Sequence, residues 1–227
     1  MNLKALTPIA LSVSVALGGL AIAPAASAEV SANVAISNMY LWRGTNLATT
    51  GGTVSGGIDY ANESGLYAGV WTSSETGGTE TDLYFGFAGE AGDVSYDVGY
   101  IWYLYPEDTG FSPDLGDNDF SEIMLSAGMA GFGAALFISA DPLPASATVD
   151  GEDYTYLALD YTTGDYNILY GIQSMDKTSS ADYTHLTLTY SYSDNLSFAV
   201  SIASPDTKDA IEEDPLFAVS YSIPLAK

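Results

Sequence analysis

Apolar and polar side chains alternate along segments of about ten residues over most of this sequence. In "VSYDVGYIWYLYPE" (94–107), every second position is apolar or aromatic, namely Val94, Tyr96, Val98, Tyr100, Trp102 and Leu104. A period of two is typical of a β-strand whose two faces meet different environments. The same alternation, strong in some segments and weaker in others, predicts twelve strands: 30–43, 52–61, 65–73, 81–90, 93–105, 119–130, 132–140, 153–162, 166–175, 182–192, 195–204 and 215–224.

The predicted connections between these strands alternate between long and short. The short ones, such as "NES" (62–64) and "TGD" (163–165), are tight-turn sequences. The long ones include 74–80, 106–118 and 205–214, and the last two are rich in Pro and Asp. Strands of about 9–11 tilted residues span a bilayer, and long outer loops with short periplasmic turns are typical of outer-membrane barrels. We therefore predict an all-β fold, an up-and-down antiparallel transmembrane barrel of about twelve strands in one domain, 29–227. A soluble β-sandwich also alternates, but it does not explain the alternating connections.

Composition agrees with a lipid-facing surface. The net charge is −24, yet only 15% of residues are charged, and the mean hydropathy is +0.13. Aromatic residues also cluster near predicted strand ends, where a bilayer interface favours them. These are Tyr40, Trp42 and Trp102 near the outer side, and Tyr60, Phe87, Tyr96, Tyr166 and Tyr192 near the inner side.

Residues 1–28 resemble a signal peptide. Lys4 precedes an apolar run over 9–22, and "ASA" at 26–28 fits a cleavage site before Glu29. We therefore expect export to the outer membrane of a Gram-negative bacterium. The chain has no cysteine, which excludes disulfides and thiolate metal sites. Five Lys and Arg residues against 29 Asp and Glu exclude a nucleic-acid partner.

The polar face of the predicted strands would line the barrel interior. Its ionisable residues are predicted to line a pore: Arg43, Asp59, Asp82, Asp97, Glu122, Asp160 and His185. Carboxylates that outnumber arginine inside a low-dielectric wall favour cations. The sequence predicts a porin-like channel for passive diffusion of small solutes, with a cation preference. Two questions stay open. The bore is either open or closed, and the chain could instead be a non-conducting structural or interaction barrel with acidic external loops.

His185 is the single histidine. A barrel lipid hydrolase would need a serine, a histidine and an orienting polar group on the lipid-facing side. The alternation in "YTHLTLTYSY" puts Leu186 and Leu188 outward and His185 inward, so we expect no enzyme and keep the hydrolase as a weaker alternative.

Acidic residues also occur in two predicted external loops. The first group is Asp114, Asp117 and Asp119, and the second is Asp206, Asp209, Glu212, Glu213 and Asp214. A solvated loop is the simplest interpretation, and loose binding of Ca²⁺ or Mg²⁺ that bridges to lipopolysaccharide is the alternative. No other cofactor is expected.

Several stretches resemble one known family. These are "SANVAISNMYLWRG" (31–44), "GGIDYANESGLYAGVW" (56–71), "TDLYFGFAGEAGDVSYDVGYIWYLYP" (81–106) and "YTYLALDY" (154–161), and they resemble the TorF family of porins. The resemblance implies an outer-membrane protein of Gram-negative bacteria and supplies no catalytic motif. Such barrels end in an aromatic residue that the barrel insertion machinery reads, whereas this chain ends in Lys227.

Overall fold

Twelve antiparallel strands form one closed barrel. The computed structural model describes residues 28–48, 51–76, 78–105, 119–141, 153–175, 182–208 and 210–226. The barrel strands are β1 (Glu29–Ser37), β4 (Thr53–Ala61), β5 (Leu66–Glu75), β6 (Gly78–Ala91), β7 (Val94–Leu104), β8 (Phe120–Met129), β9 (Phe132–Asp141), β10 (Tyr154–Thr163), β11 (Tyr166–Met175), β12 (Tyr183–Ser191), β13 (Leu196–Pro205) and β14 (Leu216–Ala226). Two short strands, β2 (Leu41–Trp42) and β3 (Thr45–Asn46), form a separate hairpin. The predicted fold class and strand number are confirmed. The proposed signal peptide, except Ala28, lies outside the described residues.

The first and last strands complete the barrel. Val34 of β1 lies opposite Ile223 of β14 on one side and opposite Gly56 of β4 on the other. Each remaining strand pairs with its neighbours in sequence. Closure leaves no sheet edge, which matters because an unpaired backbone N–H or C=O in hydrocarbon costs several kcal/mol. Within the described residues, no helix is both long and apolar enough to cross a membrane.

The outer face of the barrel is apolar. Ile58 is 54% exposed and Val98 is 50% exposed, while their neighbours Asp59 and Asp97 are less exposed. The face predicted from 94–107 is confirmed, since Ile101 and Tyr103 on the opposite parity are buried. Exposed aromatic residues also lie near the short turns, namely Tyr60, Phe87, Phe132, Tyr161, Tyr166 and Tyr192. A closed barrel with an apolar exterior and an aromatic girdle belongs in the outer membrane of a Gram-negative bacterium.

The turns at one end are short, and most connections at the other end are long. Turns 62–65, 92–93, 130–131, 164–165 and 192–195 contain two to four residues each. We call the opposite end, with connections such as 105–119 and 206–215, the long-loop end.

One predicted long connection is wrong. The loop expected over 74–80 is a hairpin in which Glu75 pairs with Gly78, so the connection holds only residues 76 and 77. Thr recurs in "TSSETGGTETD" and is favoured in strands, and the ladder extends to Glu75 and Gly78. The strict alternation of long and short connections therefore fails at this position, and β6 is the longest strand, at 14 residues.

The first predicted strand is too long. Instead of continuing to 43, β1 ends at Ser37. Residues 38–48 turn into the barrel at the long-loop end, and we call them the inward segment. The prediction that Tyr40 and Trp42 belong to a lipid-facing aromatic belt is wrong, because Tyr40 is buried against Trp71 and Trp42 packs against the interior cluster.

Candidate channel interior

The predicted interior residues form two groups along the barrel axis. Arg43, Asp82, Glu122 and His185 are buried and lie towards the long-loop end. The other three carboxylates, Asp59, Asp97 and Asp160, are half-buried and lie towards the short turns. Whether any of the seven lines a conducting pore stays a prediction.

An ion pair between Arg43 and Glu122 fixes the inward segment to the barrel wall. Nη2 of Arg43 donates to both carboxylate oxygens of Glu122 at 2.7 Å, and both side chains are 0% exposed. The hydroxyls of Tyr103 and Tyr154 also donate to Glu122, at 2.8 and 2.6 Å. Charge-assisted hydrogen bonds of this kind compensate part of the cost of burying a carboxylate.

Aromatic rings surround the guanidinium of Arg43. Its Cζ lies 4.4 Å from the ring centres of Trp42 and Tyr156 and 4.7 Å from that of Phe137. Burial disfavours the charged guanidinium, but the Glu122 carboxylate outweighs this effect and raises the pKa of Arg43. Arg43 therefore stays cationic inside the barrel. Among the described residues, its Nε and Nη1 have no hydrogen-bond partner.

A second carboxylate, Glu80, holds the start of the inward segment. It accepts hydrogen bonds from the hydroxyls of Tyr40 at 2.7 Å and Tyr105 at 2.9 Å. Burial, followed by the nearby Glu80 charge, raises the pKa of both tyrosines, so both remain donors at neutral pH. Glu80 was not among the predicted interior residues, because it lies in the predicted loop 74–80. The period-two pattern that contains Asp82 would have revealed Glu80 if it had been extended by one step.

The tip of the inward segment lies against His185. Arg43 and Gly44 both have positive φ, 46° and 84°, which makes the tight turn of the β2–β3 hairpin. A Cβ on Gly44 would collide with the ring of His185, and a Cβ on Gly171 would collide with the same ring. Two glycines therefore make room for the imidazole between the segment and the wall.

His185 belongs to a chain of hydrogen bonds inside the barrel. Its Nε2 lies 2.8 Å from the Tyr156 hydroxyl and its Nδ1 lies 3.1 Å from Oγ1 of Thr187. Thr187 in turn lies 2.7 Å from Oγ of Ser201. All four side chains are buried, and this side of β12 is opposite the exposed Leu186. The imidazole is thus held inside by neutral partners.

The carboxylates nearer the short turns are also paired with neutral donors. The bonds run from the Tyr84 hydroxyl to Asp59, from the Tyr67 hydroxyl to Asp97 at 2.7 Å, and from Nδ2 of Asn167 to Asp160 at 2.9 Å. None of these donors carries a charge, so these hydrogen bonds bring no cationic group to the three carboxylates. Hydrogen bonds from tyrosine to these carboxylates were not predicted, because Tyr also suits the bilayer interface.

No group of three or more metal-binding side chains comes together within the described residues. Asp114 and Asp117 lie outside those residues, whereas Asp119 accepts a hydrogen bond from the Tyr105 backbone N–H at 2.8 Å. Calcium or magnesium binding at the external loops therefore stays a prediction.

Comparisons with known proteins identify a family and a fold. A family model described as "Bacterial protein of unknown function (Gcw_chp)" matches residues 21–212. No curated protein matches the sequence. The solved structure of the KdgM porin is 11% identical, with a TM-score of 0.51 over 88% of this chain and 99% of that chain. The KdgM porin in complex with disordered oligogalacturonate gives a TM-score of 0.50 at 11% identity, over 88% and 99% of the two chains. Outer membrane phospholipase A from Escherichia coli gives 0.44 at 11% identity, over 92% and 96%. At these identities, the similarity to the KdgM structures shows a shared barrel fold alone.

Proposed function

The chain belongs to the Gcw_chp family of bacterial proteins of unknown function, and from this premise we propose that it is an outer-membrane channel for passive diffusion of small solutes. We further propose that it prefers cations and that it is a porin of the TorF type. The observation that carries the proposal is the distribution of charge. The ionisable strand residues Asp59, Asp82, Asp97, Glu122 and Asp160 share the inner side of a closed wall whose outer side is apolar.

The cation preference rests on carboxylates that have no cationic partner in the part of the chain that the structure describes. The one buried arginine, Arg43, is paired with Glu122, whereas Asp59 and Asp97 are held by tyrosine hydroxyls. A negative potential in a low-dielectric passage raises the local concentration of cations. The KdgM porin has been solved with oligogalacturonate, an anionic saccharide. The acidic interior of this chain would repel such an anion.

The inward segment supports a constricted resting state. Its Arg43 side chain crosses to β8, and Tyr40 reaches Glu80 on β6, so the segment occupies the interior at the long-loop end. We propose that conduction increases when this segment leaves its position. The same packing favours the second candidate, a non-conducting structural or interaction barrel whose acidic external loops carry the function.

We propose that the chain is not an enzyme. His185, Thr187 and Ser201 form a hydrogen-bonded row, but they lie inside, while lipid would meet Leu186 and Leu188 on the outer face. A phospholipid hydrolysis assay tests this directly. Hydrolysis by the purified protein that disappears in His185→Ala would contradict the proposal.

We propose the remaining partners on the sequence alone. Residues 1–28 act as a cleaved signal peptide, and the barrel insertion machinery assembles the mature chain. The external acidic loops bind Ca²⁺ or Mg²⁺ loosely and bridge to lipopolysaccharide. A chelator should lower the thermal unfolding temperature in detergent if this binding is structural, and an unchanged unfolding temperature would argue against it.

Planar-bilayer recording tests the channel. In a KCl gradient, the purified protein should carry current with a reversal potential on the K⁺-selective side of zero. Arg43→Gly should conduct more than the wild type, since it removes the ion pair and suits the positive φ at that position. If neither protein carries current, the non-conducting candidate replaces the channel.

A further inference from the structure

Residues of the barrel wall bind the guanidinium of the chain's own Arg43. In the described structure, four wall residues lie against the guanidinium of Arg43, namely Glu122 from β8, Phe137 from β9, and Tyr154 and Tyr156 from β10. Arg43 itself comes from the inward segment, outside the barrel strands. The wall residues and Arg43 therefore belong to parts of the chain that can separate without opening the barrel.

The chemistry of the wall residues selects one type of cation. Aromatic faces attract a weakly hydrated cation, and a carboxylate accepts two hydrogen bonds from a planar guanidinium. Tyr103 and Tyr154 orient Glu122 by donating to it. A small metal ion would require several oxygen ligands, mostly carboxylates, and within the described residues no three His, Cys, Asp or Glu side chains come together to hold one. The site therefore fits an organic guanidinium or ammonium compound better than an inorganic ion.

The tethered arginine is an imperfect occupant. Nη2 makes both hydrogen bonds to Glu122, while Nε and Nη1 have no hydrogen-bond partner in the described structure. A buried donor without a partner weakens binding. A free guanidinium compound can rotate in the site, whereas Arg43 is restrained by the turn at Gly44, which packs on His185. Arg43 and a free guanidinium compound would therefore compete for the same position beside Glu122.

We propose that the site formed by Glu122, Phe137, Tyr154 and Tyr156 binds small organic cations with a guanidinium or similar ammonium group, and that Arg43 is a tethered substitute for them. Entry of the solute displaces Arg43 and releases the inward segment. This inference rests on the proposed channel function for its role in transport, but the binding site itself does not depend on conduction.

Calorimetry in detergent with methylguanidinium tests the site. The titrations use millimolar ligand at an ionic strength matched with NaCl, and circular dichroism confirms the β content of each variant. Arg43→Gly should bind methylguanidinium, whereas the wild type should bind it at least about tenfold more weakly, because a tethered competitor acts at an effective concentration in the millimolar range.

A pair of double variants separates the site from general electrostatics. Arg43→Gly combined with Glu122→Gln should lose at least about tenfold in affinity, or about 1.4 kcal/mol. Arg43→Gly combined with Asp59→Asn removes an equal charge near the short turns and should bind as Arg43→Gly does. Absence of binding to Arg43→Gly, or equal loss in both double variants, would overturn the proposal.

Conductance distinguishes this inference from the channel proposal. Millimolar methylguanidinium should reduce the K⁺ current through Arg43→Gly and leave the Glu122→Gln double variant unblocked. If binding occurs in detergent but no variant conducts, the channel proposal fails and the binding site stands. If the variants conduct but calorimetry detects no binding, the binding site fails and the channel stands.

Discussion

Replacing Glu122 with Gln should release the inward segment. Glutamine keeps the shape of the side chain but removes the charge that Arg43 requires, and both side chains are fully buried. Removing one partner of a buried ion pair typically costs about 3–5 kcal/mol, because the other charge is left uncompensated. The barrel avoids this cost if the segment moves out, so the cost appears as a shift in docking rather than as unfolding.

The size of the shift follows from that cost. A change of about 3 kcal/mol alters an equilibrium constant by roughly a hundredfold. The contacts that oppose release are the bond from Tyr40 to Glu80 and the rings around Arg43, and the variant leaves them intact in the docked form. We therefore expect the undocked population to rise roughly a hundredfold, and further if the buried charge costs more.

Trypsin provides the assay, since it cleaves after Arg and Lys. Arg43 is 1% exposed and should be protected in the folded wild type, whereas Lys208 is exposed in the connection between β13 and β14. When opening and closing are fast, cleavage tracks the open population. Mass spectrometry of a time course in detergent should show cleavage after Arg43 roughly a hundredfold faster in Glu122→Gln, with Lys208 unchanged.

Asp59→Asn is the matched control, because it neutralises a tyrosine-bonded carboxylate distant from Arg43 along the barrel. It should leave cleavage at Arg43 at the wild-type rate. Equal rates in Glu122→Gln and the wild type would refute the argument that this ion pair docks the segment. Faster cleavage at both Arg43 and Lys208 would point to general unfolding instead.

Three further predictions follow from the wall itself. Leu125→Arg lies on the lipid face near the middle of β8 and should lower the free energy of unfolding in vesicles by about 2–4 kcal/mol. Met129→Arg at the strand end should lower it by only about 0–1 kcal/mol. Equal urea midpoints for these two variants would contradict a bilayer around the barrel. The triple variant Asp59→Asn, Asp97→Asn, Asp160→Asn should move the reversal potential in a KCl gradient towards zero, and an unchanged potential would place cation selectivity elsewhere. Gly171→Ala should lower the free energy of unfolding in a urea titration by about 1–3 kcal/mol, because the added Cβ collides with the ring of His185. An unchanged urea midpoint would mean that the imidazole shifts to relieve the collision at no cost.

The sequence predicts the barrel well because two solvents impose a period of two on every strand. Ile58 and Asp59 are adjacent, yet one faces lipid and the other is held by Tyr84 inside. This contrast recurs along the chain, so the number of strands and the face on which most side chains lie could be predicted from the sequence alone.

The position of the inward segment inside the barrel could not be predicted from this alternation. The alternation of β1 continues in sequence through Tyr40 and Trp42, although the chain leaves the wall after Ser37. An aromatic side chain is equally stable against lipid and in a packed interior, so periodicity does not distinguish the two. Only the contacts made in three dimensions, such as that of Tyr40 with Trp71, separate them.

The hydrogen bonds of the interior could not be predicted from the sequence for a related reason. Tyr60 is exposed on the outer face, whereas Tyr67 is buried and donates to Asp97. The residue type is the same, and only the strand register decides its role. The carboxylates were therefore predicted, but the tyrosines that hold them were not.

Spin-label accessibility tests most directly whether lipid and water lie on opposite sides of the wall. The chain has no cysteine, so single cysteines can be introduced one at a time at Ile58 and Asp59, at Val98 and Asp97, and at Leu159 and Asp160. In reconstituted vesicles, labels at Ile58, Val98 and Leu159 should collide mainly with oxygen from the bilayer, and labels at the three aspartate positions mainly with a water-soluble nickel complex. Equal access of the nickel complex to both members of each pair would contradict the account.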